Sequence, residues 1–436
     1  MEELTQTKQS PRRIWFFAWW VWIIAALFYS IEFFQRVSPS VMAQPIRETF
    51  NISASTLGAI TSLYFYAYAI AQIPVGIVLD RFGVRWPLTL ACLAISLGSL
   101  VFAIGQMLVL LAIARVLIGL GSAFAFIGTL KLVSSWFPDR YYPLMVGLTN
   151  TLGVLGAVAG EAPFASMVNH LGWQDSLIII SVIGLGISVL MGLGIKDHPI
   201  CLDKPKTCQA ILYSARKGQQ ALRSVLKAVL LNPQTCLTAF YAGLMVAPVI
   251  AFAELWSVSF LTTAFNISNV TAAQINTSVF IGIAIGGPAN GALSRFFRSR
   301  KSVMVLGNIV ALACISSIIY IPHLPEWSLY GLMFAFGFFT SSMLLAFTLN
   351  KQRHLPQHNG TVVALTNMAI MLIGAFYQWL IGFGLDHLWP QMHQAAHYSI
   401  GDFRATLTVL PLTSVCALAT LLMIKDPQYN PQTRRP

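Results

Sequence analysis

Twelve long apolar runs constrain the fold of this chain more than any other feature of its sequence. A helix that crosses a bilayer uses about 20 consecutive apolar residues, whereas a membrane β-barrel uses short alternating segments. These runs are long and uniformly apolar, so helices are the structure that satisfies the backbone in lipid. The runs occupy residues 14–36, 57–79, 87–106, 108–132, 141–163, 174–195, 235–263, 272–293, 303–321, 325–350, 360–385 and 403–424.

The composition excludes a soluble protein. Charged residues make up 10% of the 436 residues and hydrophobic residues 56%. Ordinary soluble domains carry about 25% charged residues, which cover their surface. A lipid-facing surface needs no such cover. We therefore predict an all-α membrane protein with twelve transmembrane helices, called spans 1 to 12 below.

The distribution of basic residues predicts the orientation of these spans. Of the 27 lysines and arginines, 23 fall in the tails, in the central loop or in loops on the same side. Cytoplasmic loops are enriched in lysine and arginine, so both termini and the central loop are predicted to be cytoplasmic. The topology accounts for the net charge of +12 without a nucleic-acid partner. The expected partners are the lipid bilayer and a small-molecule substrate, and we expect a functional monomer in a bacterial inner membrane.

Two short patterns recur at nearly the same offset, which indicates a duplicated architecture. Phe50–Ser53 reads Phe-Asn-Ile-Ser, and Phe265–Ser268 repeats it 215 residues later. At an offset of 214, Pro74, Leu79, Arg81 and Phe82 recur as Pro288, Leu293, Arg295 and Phe296. Repeated halves with a site near the membrane midplane are a transporter plan. We predict two pseudo-symmetric six-helix bundles at 14–195 and 235–424, a linker at 196–234, and cytoplasmic tails at 1–13 and 425–436.

A charged motif follows span 2 and carries a family resemblance. Its residues are Gly76, Asp80, Arg81, Gly83 and Arg85, in the pattern G-x-x-x-D-R-x-G-x-R. This pattern resembles the characteristic motif of the major facilitator superfamily. The fourth span adds Leu111, Arg115, Gly119 and Gly121, which are similar to that family's fourth-helix pattern. The resemblance implies the major facilitator fold and transport by alternating access.

Physical reasons support the motif residues. Gly76 is expected to permit close helix approach, and Gly83 a tight turn. Asp80 ends span 2 on the side where span 11 begins, so its carboxylate suits the positive end of that helix dipole. The resemblance implies that this contact latches the two halves together. Arg81 and Arg85 keep the loop inside, and we predict that the motif forms a conformational gate.

Charges inside the spans are the candidate site residues, because each is costly unless it is paired or hydrated. They are Glu32, Arg36, Arg115, Glu161 and Glu254. Glu32 and Arg36 are four residues apart on one helix face, which they share with Tyr29, so they can pair. Structural alternatives stay open: Arg36 and Glu161 in interfacial water, and Arg115 as the buried partner of a carboxylate.

Aromatic and amide side chains complete the candidate cavity. Tyr64, Tyr68 and Gln72 recur every four residues in span 2 and form one stripe, which suits either a wet cavity or helix packing. Trp256 follows Glu254 by two positions, so the two side chains do not share a face. We predict that Tyr64, Tyr68, Gln72 and Trp256, together with Tyr29 and the charged residues, line the substrate and proton site.

These features together predict a secondary active transporter and not an enzyme. No P-loop, HExxH or GxSxG pattern occurs, and we expect no cofactor and no metal site. The predicted substrate is a small polar solute such as an amino acid, short peptide or organic acid, with Arg115 at its anionic end. Glu32 or Glu254 is the expected carrier of a proton in coupled uptake. An exporter of drugs or metabolites, working as a proton antiporter, and a non-transporting membrane sensor remain alternatives.

Overall fold

The computed structural model describes residues 11–198, 229, 231–354, 359–387 and 398–425. Nearly all of these residues are helical, and none of them lies in a β-strand. Twelve of the described helical segments are long and apolar enough to cross a membrane. The predicted class, all-α with twelve membrane-spanning helices, is confirmed. Residues 1–10, 199–228 and 426–436 hold most of the predicted tails and linker, and these segments lie outside the described residues.

Eight spans are formed by single helices. They are span 1 (Pro11–Val37), span 2 (Ala54–Phe82), span 3 (Arg85–Ile104), span 4 (Leu108–Trp136), span 6 (Trp173–Gly194), span 8 (Asn269–Phe296), span 9 (Arg300–Tyr320) and span 11 (Asn359–His387). A further amphipathic helix, Pro39–Phe50, precedes span 2.

Four spans are interrupted. Span 5 joins Tyr142–Ala159 to Ala162–Leu171, and span 12 joins Ile400–Leu407 to Val409–Met423. Span 10 joins Glu326–Thr340 to Leu344–Gln352 through a 3₁₀ turn, and span 7 joins Pro233–Pro248 to Ser257–Phe265 through a π-helix at Val249–Trp256. Span 5 ends at Leu171, past the predicted end at 163.

The chain divides into two compact units. The first comprises Met1–Ser38 and Leu63–Gln220, and the second comprises Pro39–Ser62 and Ala221–Pro436. The helix Pro39–Phe50 and the first residues of span 2 therefore group with the later spans. The bundle limits 14–195 and 235–424 stay a prediction about how the chain divides.

The repeated tetrapeptide has the same conformation at both of its sites. Asn51 and Asn266 both adopt the left-handed backbone conformation, with φ of 48° and 52°. The serine two residues later then accepts a hydrogen bond from a backbone N–H in the first turn of the next helix: Thr56 N–H to Ser53 Oγ at 3.2 Å, and Thr271 N–H to Ser268 Oγ at 3.1 Å. Asparagine tolerates this conformation and serine is a favoured cap, so equal sequences produce equal helix starts.

Within the second unit, the first residues of span 2 pack closely along span 11. Ser62 Oγ donates to the carbonyl oxygen of Ala375 at 2.8 Å. A Cβ added to Gly382 would lie 2.4 Å from the carbonyl oxygen of Ala54, so only glycine allows the two backbones to come this close.

At the end of this contact between spans 2 and 11, the carboxylate of Asp386 lies at the N-terminus of span 2. Asp386 accepts the backbone N–H groups of Ala54 at 3.1 Å and Ser55 at 2.7 Å, and the hydroxyl of Tyr398 at 2.6 Å. The guanidinium of Arg47 lies 4.4 Å from the ring centre of Tyr398. Burial raises the pKa of Tyr398 to about 12, and Asp386 adds to the rise, so this phenol remains a donor at neutral pH.

Candidate functional site

A buried triad of Glu32, Tyr64 and Arg115 forms the centre of the site in the first unit. The Tyr64 hydroxyl donates to Glu32 Oε1 at 2.7 Å. The guanidinium carbon of Arg115 lies 4.9 Å from the centre of the Tyr64 ring. All three side chains are almost completely buried, with at most 3% of their surface exposed. The phenol thus connects a carboxylate on span 1 with a cation on span 4.

One glycine sets the spacing that makes this stacking possible. A Cβ added to Gly119 would lie 2.2 Å from the backbone carbonyl oxygen of Tyr64. Spans 2 and 4 therefore approach closely at Tyr64, and Arg115, one helical turn before Gly119, reaches its ring. Arg115 is also held by a hydrogen bond from Nη1 to the carbonyl oxygen of Gln35 at 3.2 Å.

Arg36, Tyr29 and Tyr68 surround this triad. Arg36 is only half-buried, and its guanidinium carbon lies 5.5 Å from the ring centres of both Phe33 and Phe65. Tyr29 is buried with its ring centre 5.1 Å from that of Phe33, and the ring centre of Tyr68 lies 6.1 Å from that of Tyr64. The helical spacing of Tyr29, Glu32 and Arg36 places them on one face of span 1, and the pairing of Glu32 with Arg36 stays a prediction.

Gln72 and Glu161 are buried elsewhere in the first unit. Gln72 continues the stripe of span 2 with 4% of its surface exposed. Glu161 is completely buried at the interruption of span 5, and its backbone carbonyl accepts the N–H of Ala165 at 2.8 Å. The side chain of Glu161 is thus enclosed by protein atoms, and its part in the site stays a prediction.

Glu254 and Trp256 belong to the second unit and lie within the π-helical segment of span 7. Both side chains are buried, with 2% and 1% of their surface exposed. Trp256 Nε1 donates to the backbone carbonyl oxygen of Gln378 in span 11 at 3.1 Å. π-Helical turns are rare and often occur at functional sites, so the position of Glu254 in one supports its candidacy.

Gly83 in the charged motif makes the predicted tight turn. Its φ is +79°, and an added Cβ would lie 2.9 Å from a carboxylate oxygen of Asp197. The same carboxylate accepts the backbone N–H groups of Val84 at 2.5 Å and Arg85 at 2.8 Å, at the start of span 3. Arg85 Nε donates to the carbonyl oxygen of Gly192 at 3.0 Å. Gly83 and Arg85 thus join the loop to the end of span 6.

The other motif residues differ in what surrounds them. Asp80 forms an ion pair with Lys131 of span 4, and about half of its side chain is exposed. Arg81 lies over the ring of Phe82, with 5.5 Å between the guanidinium carbon and the ring centre. A Cβ added to Gly76 would meet no heavy atom of the described residues within 4 Å, so the expected close helix approach is not seen among them.

Several residues that shape these sites have no signal in the sequence. Asp197 follows span 6 as an ordinary loop carboxylate, Asn276 is one of several polar residues at 274–278, and Gln378 stands between two aromatic residues of span 11. The structure shows that Asn276 and Gln378 contact the segment that carries Glu254. Within the described part of the chain, no three His, Cys, Asp or Glu side chains group as metal ligands.

Comparisons with known sequences identify related transporters. The uncharacterized transporter YybO of Bacillus subtilis (strain 168) is 34% identical over 167 residues, or 38% of each chain. The hexuronate transporter of that strain is 28% identical over 294 residues, covering 66% of this chain and 67% of the relative. The probable galactarate/D-glucarate transporter GudP of Escherichia coli (strain K12) is 23% identical over 371 residues, covering 78% and 80%.

A solved structure and a family model agree on the architecture. A bacterial homolog of the human lysosomal transporter Spinster, in an inward-facing and unoccupied conformation, aligns with a TM-score of 0.75 and 16% identity over 94% of this chain and 97% of that one. This likeness confirms the predicted fold. The family model described as the Major Facilitator Superfamily matches residues 21–378. The chain, a membrane protein of twelve spans, therefore belongs to the Major Facilitator Superfamily of transporters.

Proposed function

We propose that this chain takes up a small organic acid of the sugar-acid class, such as a hexuronate or an aldarate, together with a proton. The names of two relatives, a hexuronate transporter and a probable galactarate/D-glucarate transporter, support this class. A sugar acid carries a carboxylate and several hydroxyls. Buried charges of both signs beside phenol groups suit such a ligand better than an apolar one.

The stacking of Arg115 on Tyr64 is the observation that carries this proposal. A guanidinium binds a carboxylate through two parallel N–H donors. An aromatic ring beside the guanidinium helps to fix the orientation of this pair of donors. Arg115 is almost fully buried, so its attraction to an anion is weakly screened. We infer that Arg115 binds the substrate carboxylate and that the phenol of Tyr64 orients it.

The proton role follows from the carboxylate in the same triad. Protonation of Glu32 removes a negative charge beside Tyr64 and Arg115, and the cation then becomes more attractive to a substrate anion. Glu254 is the second candidate carrier. We propose that the protein works as a monomer in a bacterial inner membrane, with both termini in the cytoplasm, and that the proton gradient drives uptake without a cofactor.

Transport by the purified protein in proteoliposomes tests the substrate class. With the outside acidic, we expect accumulation of labelled D-glucuronate, which a protonophore abolishes. Unlabelled D-glucarate and galactarate should compete, while neutral D-glucose should not. Accumulation only with the inside acidic would favour the exporter. No saturable movement of any of the three acids, in either direction, would refute the sugar-acid assignment.

Variants test the roles of the triad. Arg115→Lys keeps the charge but loses the paired N–H donors of the guanidinium. We therefore expect the KM for D-glucuronate to rise by about tenfold, equal to ~1.4 kcal/mol. Tyr64→Phe should also raise KM, whereas Tyr66→Phe is a matched control two residues along the same helix. Equal KM values in Arg115→Lys and wild type would exclude the proposed carboxylate contact.

Separate Gln substitutions test the proton carriers. If Glu32 or Glu254 carries the driven proton, its Gln variant should no longer accumulate D-glucuronate against a gradient. Exchange of labelled for unlabelled substrate should survive, because exchange needs no net proton release. Should both Gln variants concentrate the substrate as the wild type does, neither glutamate carries the proton.

A further inference from the structure

The π-helical segment of span 7 has an unusual backbone. It runs from Val249 to Trp256 and follows Pro248, which lacks the N–H that an α-helix would use. Its hydrogen bonds reach five residues back, as from the Ser257 N–H to the Phe252 carbonyl oxygen. All eight of its residues are buried. Such a segment needs support from its neighbours to persist inside an otherwise α-helical span.

Two side-chain amides from other spans bind carbonyl oxygens of this segment. Asn276 of span 8 donates from Nδ2 to the carbonyl oxygen of Ala253 at 2.7 Å. Gln378 of span 11 donates from Nε2 to the carbonyl oxygen of Ile250 at 2.8 Å. The two bound carbonyls lie one and four residues before Glu254. All the residues in these contacts belong to the second unit.

Gln378 both donates a hydrogen bond to the π-helical segment and accepts one from it. Gln378 donates with its side chain to Ile250, and its backbone carbonyl accepts from Trp256 Nε1 at 3.1 Å. One residue of span 11 therefore holds the segment near both of its ends. The Ala253 carbonyl also accepts the hydroxyl of Ser257 at 3.3 Å. Asn276 and Gln378 are 0% and 1% exposed, so water does not compete for their donors.

We propose that Asn276 and Gln378 are positioning residues: they hold the π-helical segment of span 7 and thereby fix the place of Glu254. This role of Glu254 rests on the proposed function, whereas the hold on the segment does not. An amide donor bonded to a main-chain carbonyl fixes the backbone itself, which apolar packing of the same volume does not do. Loss of either donor frees the turn that precedes Glu254.

Hydrogen exchange of the purified full-length protein tests the hold without any substrate. The variants are Asn276→Leu and Gln378→Met, which keep side-chain volume and remove the donors. The matched control is Asn308→Leu: Asn308 is equally buried in span 9, and its Nδ2 contacts Met245 Sδ at 3.4 Å instead of a main-chain carbonyl.

We expect peptides covering 249–257 to exchange about tenfold faster in each test variant and within about twofold of wild type in Asn308→Leu. Peptides from span 4 serve as an internal reference. Wild-type exchange in both test variants would overturn the proposal, as would an equal increase in Asn308→Leu. If one variant does not fold, Asn276→Ala or Gln378→Ala, which also lacks the amide donor, replaces it.

A second experiment asks whether the two amides act through Glu254. In proteoliposomes, the positioning role predicts that Asn276→Leu reduces accumulation of labelled D-glucuronate while exchange persists, as expected for Glu254→Gln. Adding Asn276→Leu to Glu254→Gln should leave the rate of substrate exchange as it is in Glu254→Gln alone. A further loss in the double variant would overturn action through Glu254. If the wild type transports no D-glucuronate, the proposed function fails. The hydrogen-exchange experiment still tests whether Asn276 and Gln378 hold the π-helical segment.

Discussion

Gly76 and Gly83 belong to one motif but occupy different environments. Gly83 has a positive φ and faces the carboxylate of Asp197, while a Cβ added to Gly76 would meet none of the described atoms within 4 Å. The motif pattern predicts that both positions are glycine for a structural reason. Only Gly83 has one in this structure, because an L-residue is strained at a φ of +79°.

This difference predicts opposite effects of one substitution. Gly83→Ala should lower the free energy of unfolding by about 1–2 kcal/mol through backbone strain and contact with Asp197. Gly76→Ala, in the interior of a helix, should be neutral or stabilising by up to about 1 kcal/mol. Thermal unfolding of both purified variants measures this, and equal losses would contradict the account given for Gly83.

At the scale of helices, apolar periodicity predicts the spans but not their interruptions. Hydropathy is the same for an α-turn and a π-turn, so nothing besides Pro248 marks the segment that carries Glu254. The stripe of Tyr64 and Tyr68 is predictable from spacing, whereas the partners Gln378 and Asn276 come from other spans. Such contacts depend on tertiary packing, which one sequence does not display.

The contact between the first residues of span 2 and span 11 leads to a prediction about one helix start. Asp386 accepts two backbone N–H groups at the first turn of span 2, the role of a helix cap supplied from another helix. Asp386→Ala should therefore cost about 1–2 kcal/mol of stability. Asp175→Ala is the matched control, since Asp175 is an exposed carboxylate in the first turn of span 6. Identical melting temperatures for the two variants would refute the capping role.

Across the whole molecule, the duplicated pattern predicts which helix starts correspond to each other. The tetrapeptides at Phe50 and Phe265 predict corresponding starts of spans 2 and 8, and both asparagines adopt the same backbone conformation. Charge distribution predicts orientation in the same global way. That orientation predicts fluorescence from a green fluorescent protein fused after the C-terminus, and no activity from alkaline phosphatase at that position. An active phosphatase fusion there would reverse the assignment.

The motif resemblance makes a second prediction at the scale of the molecule. If Asp80 acts as a latch through a helix dipole, Asp80→Asn should reduce the transport rate by about tenfold or more while substrate binding persists. Lys131→Gln removes the ion pair partner but leaves the carboxylate, so it should retain most of the rate. Wild-type rates in Asp80→Asn at equal membrane abundance would exclude the latch. Equal loss in both variants would assign the effect to the ion pair.

The π-helical segment of span 7 has a consequence for how this chain tolerates insertions and deletions. A ring closed five residues back contains one residue more than a ring closed four back, so the segment holds a surplus residue relative to an α-helix. Removal of Ala251 alone would let span 7 continue as a regular helix with almost unchanged hydropathy. Glu254 would then turn to another face of the span. A sequence alignment that places a single gap in this segment would therefore pair Glu254 with a residue that lies on a different face of span 7.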